Sequence, residues 1–176
     1  MRAIVLVVSD KEKDISSTSG METSKATSVL LAHRAASVVQ GRLDEIEAAY
    51  LARDFETFGR ITMQDSNQFH AVCLDTYPPI FYMNDISKSI IHLVHAINNH
   101  FGCVKAAYTF DAGPNAVIYT LEKVYYYAID NFSLLFSCGF FVSLYLPICD
   151  KLSGRSTGDV SNDSLFPSSN YSRTVL

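Results

Sequence analysis

The chain has 176 residues, of which 48% are apolar and 18% charged, and its net charge is -4. This length allows one domain, or one domain with an appendage, and the apolar content is enough for a sizeable core. The acidic balance provides no basic surface, so nucleic acid is not expected as a partner. The cysteines are scattered, form neither a CxxC pair nor a metal-binding spacing, and indicate a reducing compartment: Cys73, Cys103, Cys138 and Cys149.

The first predicted element is a buried strand. Ala3–Ser9 is apolar but short, and it leads directly into the charged run 10–14. A secretory signal peptide would carry a small-residue cleavage site at this point, so a core strand is the better interpretation. A chain that opens inside a core strand leads us to expect that a preceding part of the fold is absent from it.

A polar loop is predicted from Asp14 to Gly20, with four consecutive hydroxyl residues before the glycine. Hydroxyl groups and free amides at the start of a helix both donate to phosphate oxygens, so this segment suits an anion cradle. Serine and threonine are also common at helix caps and turns, and an ordinary N-capping loop is the alternative.

Apolar residues at helical spacing predict three helical regions. Their ends are marked by capping residues, prolines and a glycine. In chain order, the regions are 27–53 with a break near Gln40–Gly41, a helix that starts after Asp54 and ends at Thr76–Pro79, and a helix from Asn84 to about His100 closed by Gly102.

The second of these helices carries a polar face. Ser66, Asn67 and His70 are three and four residues apart and therefore share one side of the helix. Such a face is expected either to line a polar pocket or to lie in solvent. Three histidines on the next helix have no carboxylate or cysteine to complete a ligand set, so no metal site is predicted there: His92, His95 and His100.

A strand-turn-strand unit follows, with strands at Val104–Phe110 and Ala116–Leu121. Asp111 stands where the first strand gives way to the turn, beside the Gly113-Pro114 pair. An acidic side chain at a strand end, next to a glycine, is a common way to present a catalytic group. Asp111 is also a suitable turn cap, because aspartate bonds its own downstream backbone.

The order of strands and helices indicates an α/β or α+β layered domain, with helices packed on a small mixed or antiparallel sheet. The composition changes after Glu122. The run Phe132–Cys149 has no charge, and its length of about 18 residues is the lower limit for a membrane-spanning helix. It is also compatible with a buried helix or strand pair, or with sequence foreign to the fold. Residues 123–149 are therefore of uncertain status, and the polar segment 150–176 is expected to be disordered.

Residues 2–122 resemble the C-terminal half of mevalonate diphosphate decarboxylase, a family of the GHMP kinase superfamily, and the resemblance ends at Glu122. It is carried by four motifs, of which the last is the strongest: Ser17–Met21, Asp65–Ala71, Cys73–Ile80 and Ala107–Ala116. The resemblance implies the GHMP-like C-terminal fold for 1–122. It also implies a cytosolic homodimer that uses ATP and Mg²⁺ to convert mevalonate 5-diphosphate to isopentenyl diphosphate.

The resemblance also implies roles for individual residues. Asp111 matches the family's catalytic aspartate, which lies against the substrate 3-hydroxyl and orients or accepts its proton. Ser17, Thr18 and Met21 match the region that meets the substrate diphosphate. Ser66, Asn67 and His70 would then support the pocket from behind.

The chain departs from the family in what it lacks. The Ser/Gly-rich loop that cradles ATP and the basic contacts to the diphosphate belong to the family's N-terminal half and have no match in this sequence. Because phosphoryl transfer depends on positioning and charge neutralisation, the isolated chain is expected to be inactive. The alternative is a non-catalytic binding or assembly module, with a membrane-tethered form anchored through 132–149.

Overall fold

A computed structural model describes residues 1–9, 15–137 and 143–145. The chain forms an α+β domain in which six helices pack on a four-stranded sheet within these residues. In chain order the elements are β1 Arg2–Val7, α1 Ser17–Thr27, α2 Val29–Ser37, α3 Val39–Leu51, α4 Phe55–Asp75, α5 Asp85–Phe101, β2 Ala106–Phe110, β3 Ala116–Thr120, α6 Glu122–Ser137 and β4 Ser143–Tyr145.

The sheet has the order β2-β3-β1-β4, and every neighbouring pair is antiparallel. One face is buried under α5 and α6, because alternate residues of β1 and β3 point into the same core. Ile4 and Ile118 face each other in the β1–β3 register, and both are completely buried. The apolar stripe of α5 packs on this face through Ile90, Val94 and Ile97.

Helix α4 runs along β2 and covers the outer edge of the sheet. Gly59 allows this close approach, since a Cβ atom there would lie 2.8 Å from a Val104 methyl group and 3.2 Å from the Ala107 Cβ. The free backbone groups of β2 meet side chains instead of another strand. Asn98 accepts from the Ala106 amide and donates to the Ala106 carbonyl, while the Phe110 amide donates to Ser66.

The helix boundaries follow local chemistry at three predicted positions. Asp54 caps α4 by accepting from the Thr57 amide, and Asn84 forms a capping box with Ser87 at the start of α5. Gly102 ends α5 in the left-handed conformation, with φ of 67°.

The predicted break near Gln40–Gly41 is wrong. The helix is interrupted at Val38, and Gly41 lies inside α3 with open space around its Cα. A glycine within a solvent-facing helix turn costs about 1 kcal/mol relative to alanine but does not end the helix.

Helix α6 shows that the hydrophobic core continues past Glu122. Val124, Ala128 and Phe132 are spaced four residues apart, and all three are buried in the main core. Phe132 therefore lies on the buried face of a helix whose other face, with Tyr126 and Leu134, is exposed. No helix in the described residues combines the length and apolarity needed to cross a bilayer. Residues 138–142 and 146–149 of the apolar run, and the predicted disordered tail 150–176, lie outside the described residues.

Candidate functional site

The turn between β2 and β3 presents Asp111 at the surface. Its backbone carbonyl accepts from the Gly113 amide at 2.8 Å, which closes a tight turn immediately after the strand. The bond that makes the turn therefore comes from the main chain and not from the carboxylate. Among the described residues, no side chain or amide is hydrogen-bonded to that carboxylate, so its oxygens face outward.

Three distant elements hold this turn in place. From α4, Ser66 Oγ accepts from the Phe110 amide at 3.0 Å. From α5, Ser87 Oγ donates to the Pro114 carbonyl at 2.9 Å. The Asn115 carboxamide oxygen accepts from two amides at the end of β1, those of Val8 at 2.8 Å and Ser9 at 3.0 Å. The position of Asp111 is therefore set by the packing of the whole domain.

His70 lies one helical turn beyond Ser66 and is almost completely buried. Its ring packs edge-on against Phe69 and Phe110, with centroid distances of 5.0 and 6.2 Å. Its Nε2 has no hydrogen-bond partner among the described residues. Burial lowers the pKa of His70, while a hydrogen bond with the Phe110 backbone and the charge of Asp111 act in the opposite direction.

The predicted polar face of α4 is divided between two environments. Ser66 and His70 are buried against the strand that leads to Asp111. Asn67 is exposed, and its side-chain oxygen accepts from the hydroxyl of Tyr108 at 3.0 Å. This face therefore neither forms one pocket nor lies wholly in solvent.

The hydroxyl-rich segment is the start of a helix, and the predicted loop to Gly20 is wrong from Ser17 onward. Ser16 is the N-cap of α1, because its side chain accepts from the Ser19 amide at 3.1 Å. The N-capping alternative is therefore correct for Ser16. Ser17 and Thr18 are exposed in the first turn, and Met21 is 62% exposed one turn later.

A cavity of about 360 Å³ lies between α1, α4 and the segment before α5. Ser17 and Met21 line it from α1, and Ala112, the residue after Asp111, lines it from the turn. Thr18, Asp111, Ser66, Asn67 and His70 do not line this cavity. Its other walls are mainly apolar and comprise Gly20, Ser24, Lys25, Leu31, Arg34, Phe69, Val72, Cys73, Ile80 and Tyr82.

Several of these wall residues were not singled out from the sequence. Gly20 lets the Tyr82 hydroxyl reach α1, since a Cβ at position 20 would lie 2.4 Å from that oxygen. Ser24 and Thr76 share a buried hydrogen bond of 2.7 Å, which joins α1 to the end of α4. The glycine after the hydroxyl run was the available signal for a close approach, but its partner could not be identified from the sequence.

The described residues offer no group of three or more His, Cys, Asp or Glu side chains that could hold a metal ion. The residues present therefore do not fit a magnesium site by themselves. Of the three histidines on α5, His95 is exposed, and its Nε2 lies 3.5 Å from the hydroxyl oxygen of the buried Tyr108. The exposed first turn of α1 brings the Ser17 and Thr18 hydroxyl groups together with the amides of a helix start.

The sequence that forms this α+β fold matches the model of a known protein family. The family model for the mevalonate 5-diphosphate decarboxylase C-terminal domain matches residues 3–145, and the chain belongs to this family. The family model extends beyond Glu122, over the residues of α6 and β4.

Known relatives agree with this assignment. The chain is 60% identical to diphosphomevalonate decarboxylase of Danio rerio over 122 residues, and 63% identical to diphosphomevalonate decarboxylase mvd1 of Aspergillus fumigatus over 123 residues. These matches cover 69% and 70% of the chain. The chain spans 30% of the length of either relative.

Solved structures show the same fold. A crystal structure of mevalonate 5-diphosphate decarboxylase matches with a TM-score of 0.70 and 50% identity, covering 77% of this chain and 34% of the other. Mevalonate diphosphate decarboxylase from Trypanosoma brucei matches with a TM-score of 0.69 and 36% identity, covering 77% and 36%.

Proposed function

We propose that this chain is the C-terminal part of an ATP-dependent diphosphomevalonate decarboxylase, a carboxy-lyase of isoprenoid biosynthesis. Its substrate is mevalonate 5-diphosphate and its product is isopentenyl diphosphate. The observation that supports this proposal most directly is the placement of Asp111, whose carboxylate faces outward from a turn held by three other elements. A related solved structure, 25% identical with a TM-score of 0.69, is described as MDDEF in complex with MVAPP, AMPPCP and magnesium.

Asp111 acts on the 3-hydroxyl group of the substrate. Its carboxylate accepts the hydroxyl proton while the oxygen forms a bond to the γ-phosphorus of ATP and the bond to ADP breaks. ATP, as the second substrate, would supply the phosphoryl group, and Mg²⁺ bound with it would neutralise the phosphate charge. The new phosphate then leaves with its bonding electrons, the bond to the carboxylate carbon breaks, carbon dioxide is released and the electron pair forms the double bond. A positioned base of this kind contributes about 10²–10⁴-fold to the rate.

The first turn of α1 is the proposed contact for the substrate diphosphate. Ser17 and Thr18 present hydroxyl groups where the unpaired amides of the helix start point in the same direction. Met21 lines the adjoining cavity from the same helix. Ser66, Asn67 and His70 support the pocket from behind, with Ser66 and His70 closest to the catalytic turn.

To the proposed site, the described residues contribute the Asp111 carboxylate and a set of hydroxyl groups, but they offer no cluster of ligands for a metal. We therefore expect the isolated chain to be inactive and the complete enzyme to need the part of the family that lies outside the match. On the family resemblance, the complete protein is proposed to be a cytosolic homodimer.

A chimera tests this function. The matched 122 residues of the Danio rerio relative are replaced by the corresponding residues of this chain, and ADP release is measured with mevalonate 5-diphosphate and Mg-ATP. The chimera is expected to turn over, whereas the isolated chain is not. Asp111→Ala in the chimera should reduce kcat by about 10²-fold or more.

Glu47→Ala is the matched control, because Glu47 is an exposed carboxylate on α3, within the exchanged segment and away from the turn. The control should leave turnover unchanged. Full activity of the Asp111→Ala chimera would refute the catalytic assignment, and normal turnover by the isolated chain would refute its dependence on the remainder of the enzyme.

A further inference from the structure

We propose that Tyr82 is a positioning residue for the reaction. Its hydroxyl group, seated against Gly20, sets where the first turn of α1 lies relative to the turn that carries Asp111. The catalytic meaning of this spacing rests on the proposed function, in which the helix start meets the substrate diphosphate and Asp111 meets the 3-hydroxyl. The contact between Tyr82 and Gly20 is a property of the fold and is tested without turnover.

The Tyr82 hydroxyl meets α1 at the first hydrogen bond of the helix. It donates to the Ser16 carbonyl at 3.4 Å, and the same carbonyl accepts from the Gly20 amide at 2.9 Å. The glycine leaves room for this approach, because a Cβ atom at position 20 would collide with the hydroxyl oxygen. The same Cβ atom would lie 3.6 Å from the ring carbon Cζ, which is an ordinary van der Waals distance. The fit therefore depends on one oxygen atom of Tyr82 and on the methyl group that Gly20 lacks.

The backbone is anchored on both sides of Tyr82. Two residues before it, Ile80 is buried, and its amide donates to the Cys73 carbonyl on α4 at 2.9 Å. Two residues after it, the Asn84 amide donates to Ser87 Oγ at 3.3 Å within the capping box of α5. The ring therefore projects from a short segment that two helices hold, and it forms a stop against which α1 rests.

The anchor on α5 also reaches the turn that carries Asp111. The completely buried Ser87 hydroxyl, which accepts from the Asn84 amide, donates to the Pro114 carbonyl at 2.9 Å. A continuous series of contacts thus runs from the start of α1 through Tyr82 to this turn. The diphosphate and the 3-hydroxyl belong to one small substrate, so the distance between their contacts has to match it. A misplacement of about 1 Å can cost about 10²-fold in rate.

The first experiment is a double-mutant cycle on the thermal unfolding of the 176-residue chain. Gly20→Ala places a methyl group against the Tyr82 hydroxyl and should lower the Tm by about 3–8 °C, as overpacking predicts. In a Tyr82→Phe background the oxygen is gone. There, Gly20→Ala should instead raise the Tm by about 2–4 °C, because alanine favours the helix. The coupling between the two residues thus reverses the sign of the substitution.

Gly41→Ala is the matched control, since Gly41 lies within α3 and a Cβ atom there would meet no described atom within 4 Å. It should raise the Tm by about 2–4 °C in both backgrounds. A stabilising effect of Gly20→Ala in the presence of Tyr82 would show that the ring moves aside, and it would overturn the proposal. A destabilising effect that Tyr82→Phe leaves unchanged would overturn it as well.

The second experiment measures kcat and KM in the chimera, per folded molecule and at a temperature well below the Tm of every variant. Gly20→Ala should lower kcat about tenfold and change the KM for mevalonate 5-diphosphate by less than about threefold. The reason is that the diphosphate still binds, whereas the 3-hydroxyl is displaced from Asp111. Adding Tyr82→Phe to Gly20→Ala should restore kcat. A loss of stability alone would leave kcat per folded molecule unchanged.

An unchanged kcat in Gly20→Ala, or no rescue by the added Tyr82→Phe, would refute the positioning role. A chimera that is inactive without any substitution would refute the proposed function alone, since the Tm values already decide whether Tyr82 holds the helix start.

Discussion

The two parts of the proposed site are held in different ways. The turn that carries Asp111 is bonded to α4, α5 and the end of β1, through residues 27 to 107 positions apart in the sequence. The first turn of α1 is held mainly by local contacts, such as the bond between Ser16 and the Ser19 amide. The bond from a residue distant in the sequence, in which the Tyr82 hydroxyl donates to the Ser16 carbonyl, is 3.4 Å long and exposed.

Under the proposed function, this difference divides the work between this chain and the remainder of the enzyme. The position of Asp111, the proposed proton acceptor, is determined within this domain, because it depends on the same packing that forms the core. The hydroxyl groups proposed for the diphosphate lie on an exposed helix end that a ligand can still order. We therefore expect substitutions at the turn to affect stability more than substitutions at the helix start.

The largest effect is expected for Asn115→Ala. Its side-chain oxygen accepts from two partly buried amides, and removing it leaves both without their partner. The free energy of unfolding in urea should fall by about 2 kcal/mol. Asn115→Asp is the matched control, since it keeps the accepting oxygen and should lose much less. Equal losses in the two variants would show that the bonds to β1 do not hold the turn.

Ser66→Ala is expected to cause the next largest loss of stability. The buried Phe110 amide loses its acceptor, and unfolding free energy should fall by about 1–2 kcal/mol. Ser17→Ala at the exposed helix start should change it by no more than about 0.5 kcal/mol. If Ser17→Ala were the more damaging of the two, the contrast between turn and helix start would be reversed.

Ser16→Ala addresses the helix start directly. Loss of the N-cap should cost about 1 kcal/mol. Hydrogen exchange of the Ser19 and Gly20 amides should accelerate, with no change at Gly113. Ser16→Asp, which keeps an accepting oxygen and adds a favourable charge at the helix N-terminus, should restore protection. Acceleration at Gly113 as well would mean that the two parts of the site unfold together.

The smallest effect is a pH dependence of stability, because the Asp111 charge and the Phe110 backbone partly offset the burial of His70. The pKa of His70 is lower in the folded chain than in the unfolded chain, where it is near 6.5. The unfolded chain therefore binds more protons between these values, and stability rises with pH across that window. In His70→Asn, the free energy of unfolding measured in urea should change less between pH 7.5 and 5.5. An unreduced change would exclude His70 as the source of the pH dependence.

The parts of the fold that depend on neighbouring residues could be predicted from the sequence. Asp54, Asn84 and Gly102 mark helix ends through bonds that span only a few residues, so their chemistry is visible in the sequence. The strand that ends at Asp111 was likewise apparent from its apolar run and the glycine-proline turn. The catalytic role proposed for Asp111 came from the resemblance, because spacing alone also suited a turn cap.

The parts that depend on distant residues could not be predicted in the same way. Nothing in the spacing of Ser66 or Asn115 identifies the amides that they meet across the fold. The amphipathic face of α6 was hidden because Phe132 begins an apolar run, although Val124 and Ala128 already set a four-residue spacing. The start of α1 was misjudged because serine and threonine favour loops, and the capping bond of Ser16 decides the matter only in the folded chain.

The close approach of α4 at Gly59 has a consequence for self-association. An edge strand with free amides and carbonyls can recruit another polypeptide and begin aggregation. Here the amide and carbonyl of Ala106 are already bonded to Asn98, and the Phe110 amide is bonded to Ser66. The helix lies against the strand where Gly59 approaches Ala107. A bulkier residue at position 59 would push the helix away and uncover this edge, so the glycine also protects the chain from intermolecular β-pairing.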